Sequence, residues 1–213
     1  MSSSRIKLLV VDDHAVVRNG VRLMVESAED IDVTGEAENA QDALRLLREQ
    51  CFDIALVDIG LSGKNGLELL KAIRVDKPKL AVLIFSMYAE EAYALRALKL
   101  GAAGYLTKNS PAPIIVGAIR KAASGGKYIS PSLVEKFASV MGGGRLASHE
   151  TLSDRELEVL KMIASGESLV HIAATLHLSP NTITTYRTRI LEKMSLSSNA
   201  ELARYALENG LLM

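Results

Sequence analysis

The stretch Cys51-Phe-Asp-Ile-Ala-Leu-Val-Asp58-Ile-Gly-Leu-Ser-Gly-Lys-Asn-Gly66 decides the fold of the first half of this sequence. Its apolar segment, Ile54–Val57, is too short and too uniformly apolar for an amphipathic helix, and glycines follow it closely. These features are typical of a buried parallel strand. Because ligands bind at the carboxyl ends of such strands, Asp58 lies where a functional carboxylate is expected. On this stretch alone, a cap for the next helix is an equally good interpretation of Asp58.

Short β-branched runs alternate with longer helical patterns on both sides of this strand, from residue 6 to about residue 124. Strands are predicted at residues 6–11, 32–36, 54–57, 80–85 and 103–106. After each of them apolar residues recur at helical spacing, and a helix at residues 111–124 completes the series. Five strand–helix repeats predict an α/β fold with an open, doubly wound, five-stranded parallel sheet of the flavodoxin-like kind.

Length and composition limit the classes of protein to be considered. A chain of 213 residues suits two domains, and its 25 basic and 25 acidic residues favour neither nucleic acid nor membrane as a bulk partner. A single cysteine, Cys51, excludes an internal disulfide and suits a reducing compartment. The first apolar run is cut by Asp12 and Asp13, and no run reaches membrane-spanning length. We therefore expect a soluble, cytoplasmic protein.

The strand pattern stops after residue 124, which predicts a first domain at residues 1–124 and a linker at residues 125–149. The linker holds one short helix, predicted at Pro131–Met141, and a glycine-rich connector that we expect to be flexible. From residue 150 to 213 only helices are predicted, beginning with a capping box between Ser153 and Glu156. Ser179-Pro180 begins the third of these helices and Asn199 caps the fourth. A tight turn between the second and third helices predicts a helix-turn-helix arrangement.

Polar residues at the strand ends predict a shared acidic site. The strands end in Asp12 and Asp13, in Asp58 and in Ser86, and Lys108 follows the last of them. Neighbouring strands lie about 4.8 Å apart, so these side chains can share one pocket. Carboxylates that close repel each other unless a cation intervenes, and their hard oxygens suit Mg²⁺. With a metal and a lysine to offset charge, Asp58 is suited to receive a phosphoryl group.

The alternative for this site is structural. Asp12 and Asp13 would then cap the first helix, and Lys108 would be a solvated loop residue. Each interpretation is reasonable for one residue, but the joint placement of all of them at strand ends favours a functional site.

These residues, together with Gly104-Tyr-Leu-Thr-Lys108, resemble the receiver domain of two-component response regulators over residues 5 to about 124. The resemblance implies that Asp58 is the phosphoacceptor and that Asp13 and Asp58 bind Mg²⁺ directly. Asp12 would support the metal directly or through water, and the backbone carbonyl of Gly60 would complete the protein ligands. Lys108 would pair with the phosphoryl group.

The same resemblance implies a switch and a partner. Ser86 would move toward the phosphoryl group, and Tyr105 would rotate inward behind it. A sensor histidine kinase would dock near the exposed part of the first helix, around His14, Val17 and Arg18. One residue departs from the family pattern, because Ser62 stands where receivers of this kind usually have proline.

The helical segment resembles the LuxR-type DNA-binding domain of the NarL/FixJ response regulators. The resemblance rests on Leu152-Ser-Asp-Arg-Glu156, Ile172-Ala173, Leu178-Ser179 and Asn181-Thr-Ile183. It implies that residues 180–194 form the recognition helix and that the last helix dimerises, through Leu202 and Tyr205. Candidate DNA-binding residues are Thr182, Thr184, Tyr186, Arg187, Arg189 and Lys193. We expect Ile183, Ile190 and Leu191 to pack in the core.

The combined hypothesis is a phosphorylation-switched transcription regulator, which is not an enzyme beyond self-phosphorylation from small phosphodonors and autodephosphorylation. Once phosphorylated, it would form a homodimer on paired half-sites in double-stranded promoter DNA. A flavodoxin-like cofactor protein shares the sheet, but Asp12 and Asp13 would repel a cofactor phosphate. A receiver-like regulator that binds only proteins is the second alternative, favoured slightly by the acidic balance of the segment from Thr151 onward.

Overall fold

The computed structural model describes residues 5–61, 65–88, 90–141 and 148–212, and these residues form two units. The first unit is Met1–Val134 and the second is Glu135–Met213, so the division falls inside the predicted linker at residues 125–149. Most of the glycine-rich connector, residues 142–147, lies outside the described residues, and so does Ser62.

Five parallel strands form one sheet in the first unit, in the order β2-β1-β3-β4-β5. The strands are β1 (Ile6–Val11), β2 (Ile31–Ala37), β3 (Ile54–Val57), β4 (Ala81–Ser86) and β5 (Gly104–Thr107). The helices between and after them are α1 (Ala15–Glu26), α2 (Ala40–Glu49), α3 (Gly66–Asp76), α4 (Glu90–Lys99) and α5 (Ala112–Ala123). This arrangement confirms the predicted doubly wound, flavodoxin-like fold.

Successive apolar side chains of the central strands point alternately to the two faces of the sheet, where they pack in the core. Helices α1 and α5 contact each other, as do α2 and α3. One core cluster contains Leu8, Val10, Val21, Leu56, Leu83, Phe85, Ile115 and Ile119. Burying each such side chain contributes about 1.5–3 kcal/mol relative to leaving it exposed. All of β3 is buried, which explains why it reads as a continuous apolar run rather than an alternating one.

The strand register brings the polar ends of β1 and β3 together. Val11 pairs with Val57, so the next residues, Asp12 and Asp58, leave the sheet side by side. The backbone N–H of Asp58 donates to the carbonyl of Val11 at 2.9 Å. From β1 the chain continues to β2 on one side of β1, and it later forms β3 on the other side of β1. This reversal creates the crevice where α/β sheets bind ligands.

The segment that follows α5 packs on the edge of β5. Gly125 has a φ of 87°, which turns the chain back toward the sheet. The N–H of Tyr128 then donates to the carbonyl of Ala103 at 2.7 Å, and Tyr128 forms a parallel bridge with Gly104. A Cβ at Gly104 would lie 2.5 Å from the carbonyl oxygen of Tyr128, so a glycine is needed for this approach. The beginning of the predicted linker is therefore part of the first unit.

Helix α6 (Pro131–Met141), which was predicted with these bounds, follows directly. Its first turn is fixed to α4, because Glu90 Oε2 accepts hydrogen bonds from Ser130 Oγ at 2.5 Å and from Ser132 Oγ at 3.0 Å.

The described part of the second unit contains no strand. After a short 3₁₀ helix at Ser148–Thr151 it forms α7 (Asp154–Ala164), α8 (Leu169–Thr175), α9 (Pro180–Met194) and α10 (Asn199–Glu208). The predicted capping box of Ser153 and Glu156 is present. Ser198, rather than the predicted Asn199, caps α10 through its contact with the N–H of Glu201. Helices α8 and α9 contact each other across the turn at His177, which has a φ of 53°.

Glu156 also fixes α9 to α7. Its side chain is 5% exposed, and both carboxylate oxygens accept hydrogen bonds from Lys193 Nζ, at 2.7 and 2.8 Å. Burial would raise the pKa of Glu156, but hydrogen bonds from Lys193 and from the N–H of Ser153 bring the pKa below its ordinary value.

This lowered pKa predicts that the second unit is sensitive to acid. A carboxylate with a depressed folded-state pKa contributes stability that is fully present above its unfolded-state pKa and is lost as the pH falls through the folded-state pKa. We expect Glu156→Gln to destabilise the unit by about 1–2 kcal/mol near pH 7 and to flatten its acid dependence. Thermal unfolding of the full chain, followed by circular dichroism across the acidic range, measures both effects.

The matched control is Glu158→Gln, because Glu158 pairs with Arg155 at 2.7 Å on the same helix but is about a third exposed. We expect this control to cost less than about 0.5 kcal/mol. Equal unfolding midpoints for the two variants at every pH would contradict the role assigned to Glu156.

Candidate functional site

The predicted acidic cluster lies at the carboxyl ends of β1 and β3. Asp12 and Asp58 are buried, at 1% and 5% exposure, and Asp13 is partly exposed. Oxygen atoms of these three carboxylates and a ring nitrogen of His14 lie within 4.8 Å of one another. His14 Nδ1 is 2.7 Å from Asp13 Oδ1, so the histidine predicted only as a kinase contact also borders this site.

The structural alternative fails for Asp12 and Asp13 as helix caps, because the N-cap residue of α1 is His14 and it makes no side-chain capping hydrogen bond. Asp12 Oδ1 accepts a hydrogen bond from the N–H of His14 at 2.9 Å and therefore stabilises the turn before α1. Asp58 is not the cap of the following helix, because Asn65 caps α3 through a 2.9 Å hydrogen bond from the N–H of Leu67. The interpretation of Asp58 as a helix cap is thus wrong, and its buried carboxylate contacts Lys108 instead.

Lys108 carries the positive charge that lets the carboxylates approach each other. Its Nζ lies 2.6 Å from Asp12 Oδ2 and 2.7 Å from Asp58 Oδ2. Burial would lower the pKa of Lys108, but the hydrogen bonds with Asp12 and Asp58 raise it above its ordinary value, so the side chain stays an ammonium. The strand β5 delivers this residue, because the N–H of Lys108 donates to the carbonyl of Ser86 at 2.8 Å. Lys108 is therefore not a solvated loop residue.

The two predicted switch residues are both buried, and one further residue connects them. Ser86, at the end of β4, and Tyr105, in β5, are each 1% exposed. Ser86 Oγ accepts from the N–H of Tyr88 at 3.4 Å, and the carbonyl of Tyr88 accepts from the hydroxyl of Tyr105 at 2.8 Å. Tyr105 thus already lies inward, and burial raises the pKa of its hydroxyl. Sequence reasoning missed Tyr88, whose contribution is made by its backbone.

The donor set fits a hard divalent cation. Carboxylate oxygens of Asp12, Asp13 and Asp58 converge, and oxygen ligands with room for water are what Mg²⁺ requires. The loop after β3 also passes close to the cluster, since a Cβ at Gly60 would lie 3.5 Å from Asp58 Oδ2. The arrangement is compatible with Mg²⁺ binding.

Gly66 is a second residue whose role was missed. A Cβ at this position would lie 1.9 Å from the backbone carbonyl oxygen of Asp58. The first turn of α3 therefore packs directly on the peptide that carries the candidate phosphoacceptor. The N–H of Gly66 donates to the carbonyl of Ile59 at 3.0 Å, which closes the loop between β3 and α3.

Arg18 does not lie where the sequence suggested. It was predicted in the exposed part of α1, but its side chain is 9% exposed and points into the first unit. Val17 is partly buried, and only His14 of the predicted kinase contacts is fully exposed. The helical periodicity was correct, but the arginine has polar partners elsewhere in the first unit, which helical periodicity does not reveal.

The predicted recognition helix α9 has one exposed polar face. Thr184 and Arg189 are exposed, whereas Thr182, Tyr186 and Arg187 are partly buried. Exposed residues that sequence reasoning missed on the same face are Asn181, Thr185 and Thr188. The helical periodicity identified the opposite face correctly, because the structure buries Ile183, Ile190 and Leu191.

Two of the candidate DNA-binding cations already have partners within the unit. Arg187 Nε donates to Asn199 Oδ1 at 2.6 Å, and Lys193 donates to both oxygens of Glu156. A DNA phosphate would have to compete with Glu156 for the ammonium of Lys193. Arg189 is exposed, so it is the better candidate for a phosphate contact.

The predicted dimerisation residues of α10 are engaged inside the unit. Leu202 is completely buried, which does not agree with a role at a subunit contact. The hydroxyl of Tyr205 lies 2.9 Å from Nδ1 of the buried His149. Leu207, which the sequence analysis did not select as a contact, is 69% exposed on the same helix. In the sequence, Leu202, Tyr205, Ala206 and Leu207 form a mixed apolar stripe, which does not define which face of α10 is exposed.

Comparison with known proteins gives matches to both units. Residues 8–120 match the family model of the response regulator receiver domain, and residues 150–206 match that of the bacterial regulatory proteins of the luxR family. The response regulator GacA of Pseudomonas aeruginosa is 37% identical over 209 residues, which are 97% of this chain and 98% of that protein. The response regulator UvrY of Escherichia coli is 32% identical over 97% of this chain and 95% of that protein.

Solved structures of other proteins are also similar to this chain. The RcsB response regulator of Salmonella typhimurium covers 97% of this chain and 99% of its own, with a TM-score of 0.76 and 23% identity, which supports the fold alone. A two-component response regulator of the LuxR family from Aurantimonas is 36% identical, with a TM-score of 0.61, over 65% of this chain and 99% of its own. Among the described residues, none of the helices has the length and apolar character to cross a membrane.

The close contact at Gly66 predicts a large loss of stability when a methyl group is added at this position. We expect Gly66→Ala to lower the free energy of unfolding of the first unit by about 3 kcal/mol or more, because the added methyl group meets backbone rather than a movable side chain. Urea denaturation of the full chain measures the loss. The control is Gly117→Ala on α5, where an added Cβ meets nothing within 4 Å.

That control is expected to stabilise the unit by about 0.5–1 kcal/mol, as alanine is the better helix former. A Gly66→Ala protein as stable as the Gly117→Ala control would show that the loop after β3 does not need this close approach.

Proposed function

This chain belongs to the two-component response regulators that join a receiver domain to a LuxR-type DNA-binding domain, and on that premise we propose that Asp58 is its phosphoacceptor. A sensor histidine kinase would supply the phosphoryl group, and Asp12, Asp13, Asp58 and the backbone carbonyl of Gly60 would hold Mg²⁺. The observation that carries the proposal is the buried contact of Lys108 with Asp58 at 2.7 Å. This ammonium is already placed to neutralise anionic oxygen at Asp58.

For the transfer of a phosphoryl group to Asp58, the protein has mainly to position the reacting groups and to compensate their negative charge. A bond forms between a carboxylate oxygen of Asp58 and phosphorus as the bond between phosphorus and the donor breaks. Lys108, kept protonated by its two carboxylate partners, donates to a phosphoryl oxygen and offsets the added negative charge. Mg²⁺, when bound, supplies further positive charge at the transferring oxygens. Besides the transfer from the kinase, the chain would undergo self-phosphorylation from small donors and autodephosphorylation.

Tyr88 suggests how the phosphoryl group is sensed. Ser86 Oγ would turn from the N–H of Tyr88 to the phosphoryl oxygen, which releases a 3.4 Å contact. The carbonyl of the same residue holds the hydroxyl of Tyr105 at 2.8 Å, so a shift of Tyr88 also changes the environment of Tyr105. The movement passes to α4, which begins at Glu90. A bistable loop between β4 and α4 is thus the proposed switch element.

The phosphoacceptor is tested by mass spectrometry of the full chain after incubation with acetyl phosphate and Mg²⁺. We expect wild type to gain the mass of one phosphoryl group and Asp58→Asn to gain none, since the amide is not a nucleophile for phosphorus. The control is Asp53→Asn, at the opposite end of β3, where the carboxylate accepts from the N–H of Lys7 at 2.8 Å.

The Asp53→Asn protein should be modified to the same extent as wild type. Modification of Asp58→Asn at the wild-type level would assign the phosphoryl group to another residue and overturn the proposal.

We propose further that the exposed face of α9 binds double-stranded promoter DNA. Pro180 begins the helix, and its first turns expose Asn181, Thr184 and Thr185, where hydroxyl and amide groups suit base edges. Arg189 lies on the same side and suits a phosphate. Few cations are available on this face, so the affinity should depend less on salt than in more basic domains. Because DNA and a kinase are its partners here, the protein would act in the cytoplasm.

Dimerisation on phosphorylation is part of the same proposal. A homodimer with twofold symmetry would read two half-sites of a roughly palindromic sequence. Since Leu202 is buried, the exposed Leu207 is the better candidate for a contact between two copies through α10.

The phosphate contact of Arg189 is tested by DNA binding at several salt concentrations. With the promoter region of the protein's own gene as probe, we expect Arg189→Ala to weaken binding and to reduce the slope of log K against log salt by about 1. The control is Arg204→Ala on α10, an exposed arginine paired with Glu208 at 3.9 Å.

Arg204→Ala should leave the salt slope at the wild-type value. An unchanged slope for Arg189→Ala would remove this residue from the proposed DNA surface, and absent binding by wild type in both phosphorylation states would contradict DNA recognition itself.

A further inference from the structure

The guanidinium of Arg18, on α1, contacts the residue just after β1 and two residues at the end of β2. Its Nη1 donates to the backbone carbonyl of Asp12 at 2.7 Å. Its Nε donates to Glu36 Oε2 at 3.2 Å, at the end of β2, and its Nη2 donates to Glu38 Oε1 at 2.7 Å. All three nitrogens are thus used, and the side chain is only 9% exposed.

The hydrogen bond to Asp12 is the one directed at the acidic site. The carbonyl of Asp12 belongs to the peptide that joins Asp12 to Asp13, so Arg18 fixes the plane of that peptide. On the other side of Asp12, its N–H donates to the carbonyl of Ala37 at 3.0 Å. The backbone of Asp12 is therefore held at its N–H by β2 and at its carbonyl by Arg18.

Holding α1 against β2 would not need this bond, because a surface ion pair would serve. Arg22 forms such a pair with Glu36 from the next turn of α1, with its side chain 52% exposed. Arg18 differs in being buried, which is costly for a guanidinium unless every donor is satisfied. The buried position brings its guanidinium within reach of the Asp12 carbonyl.

We infer that Arg18 is a positioning residue for the divalent cation, an inference that rests on the proposed function. It does not touch the metal; it holds the Asp12–Asp13 peptide so that the two carboxylates keep their direction toward Asp58. Glu36 and Glu38 in turn hold the guanidinium. Residues that orient metal ligands in this way typically change metal affinity by about 10–100-fold when they are replaced.

The experiment measures Mg²⁺ binding to the full, unphosphorylated chain by isothermal titration calorimetry. We expect Arg18→Met to weaken Mg²⁺ binding about 10-fold and the matched control Arg22→Met to change it by less than about twofold. A second readout is the Mg²⁺ dependence of phosphorylation by acetyl phosphate. The Mg²⁺ concentration at half-maximal rate should rise for Arg18→Met, while the rate at saturating Mg²⁺ stays near that of wild type.

Arg18→Lys covers the case in which Arg18→Met does not fold, as judged by circular dichroism. It keeps the charge, but one ammonium cannot reproduce the planar fork that serves three acceptors, so it should also bind Mg²⁺ more weakly than wild type. Wild-type affinity in a folded Arg18 variant, or an equal loss in Arg22→Met, would overturn the inference.

The failure of the proposed function would be recognised separately. If wild type bound no Mg²⁺ or accepted no phosphoryl group, the premise would fail, and the inference with it. If wild type did both and the Arg18 variants matched it, only the positioning role would be lost.

Discussion

One buried ammonium makes the acidic site of the receiver possible. Lys108 Nζ lies within 2.7 Å of a carboxylate oxygen of Asp12 and of Asp58, and both carboxylates are almost fully buried. A buried charge without a partner costs several kcal/mol, so removing Lys108 would leave two buried carboxylates without their cation. The strands that bring them together must therefore end at matched positions.

That matching is a property of the parallel register. Val11 pairs with Val57, and Ser86 pairs with Thr107, so each strand releases its polar residue at the same edge. The packing of α3 on the peptide of Asp58 and the hydrogen bond of Arg18 to the peptide of Asp12 then fix the directions of the side chains. Strand register sets the distance between the charges, and the surrounding helices set their orientation.

The parts of the fold that depend on local pattern could be predicted from the sequence. All five strands lie within one residue of their predicted bounds, and the buried ones are apolar runs closed by turn residues. The cluster of Asp12, Asp13, Asp58 and Lys108 followed from the rule that parallel strands end at one edge.

What could not be predicted depends on tertiary contacts. The burial of Arg18 depends on Glu36 and Glu38, which are distant in the sequence. The burial of Leu202 depends on the rotation of α10 about its axis, which a mixed apolar stripe does not define. Tyr88 acts through its backbone, and Gly66 through the absence of a side chain, so neither carries a chemical signal in the sequence.

The bridge between Gly104 and Tyr128 has a consequence for the solution behaviour of the receiver. Strand β5 lies at the edge of the sheet, and an uncovered edge offers unpaired N–H and carbonyl groups to other chains. The segment after α5 occupies part of this edge through the 2.7 Å hydrogen bond of Tyr128 with Ala103. A receiver cut at residue 124 would lose this cover, whereas one that extends to Val134 keeps it. The first residues of the linker thus also protect the edge of the sheet from pairing with another chain.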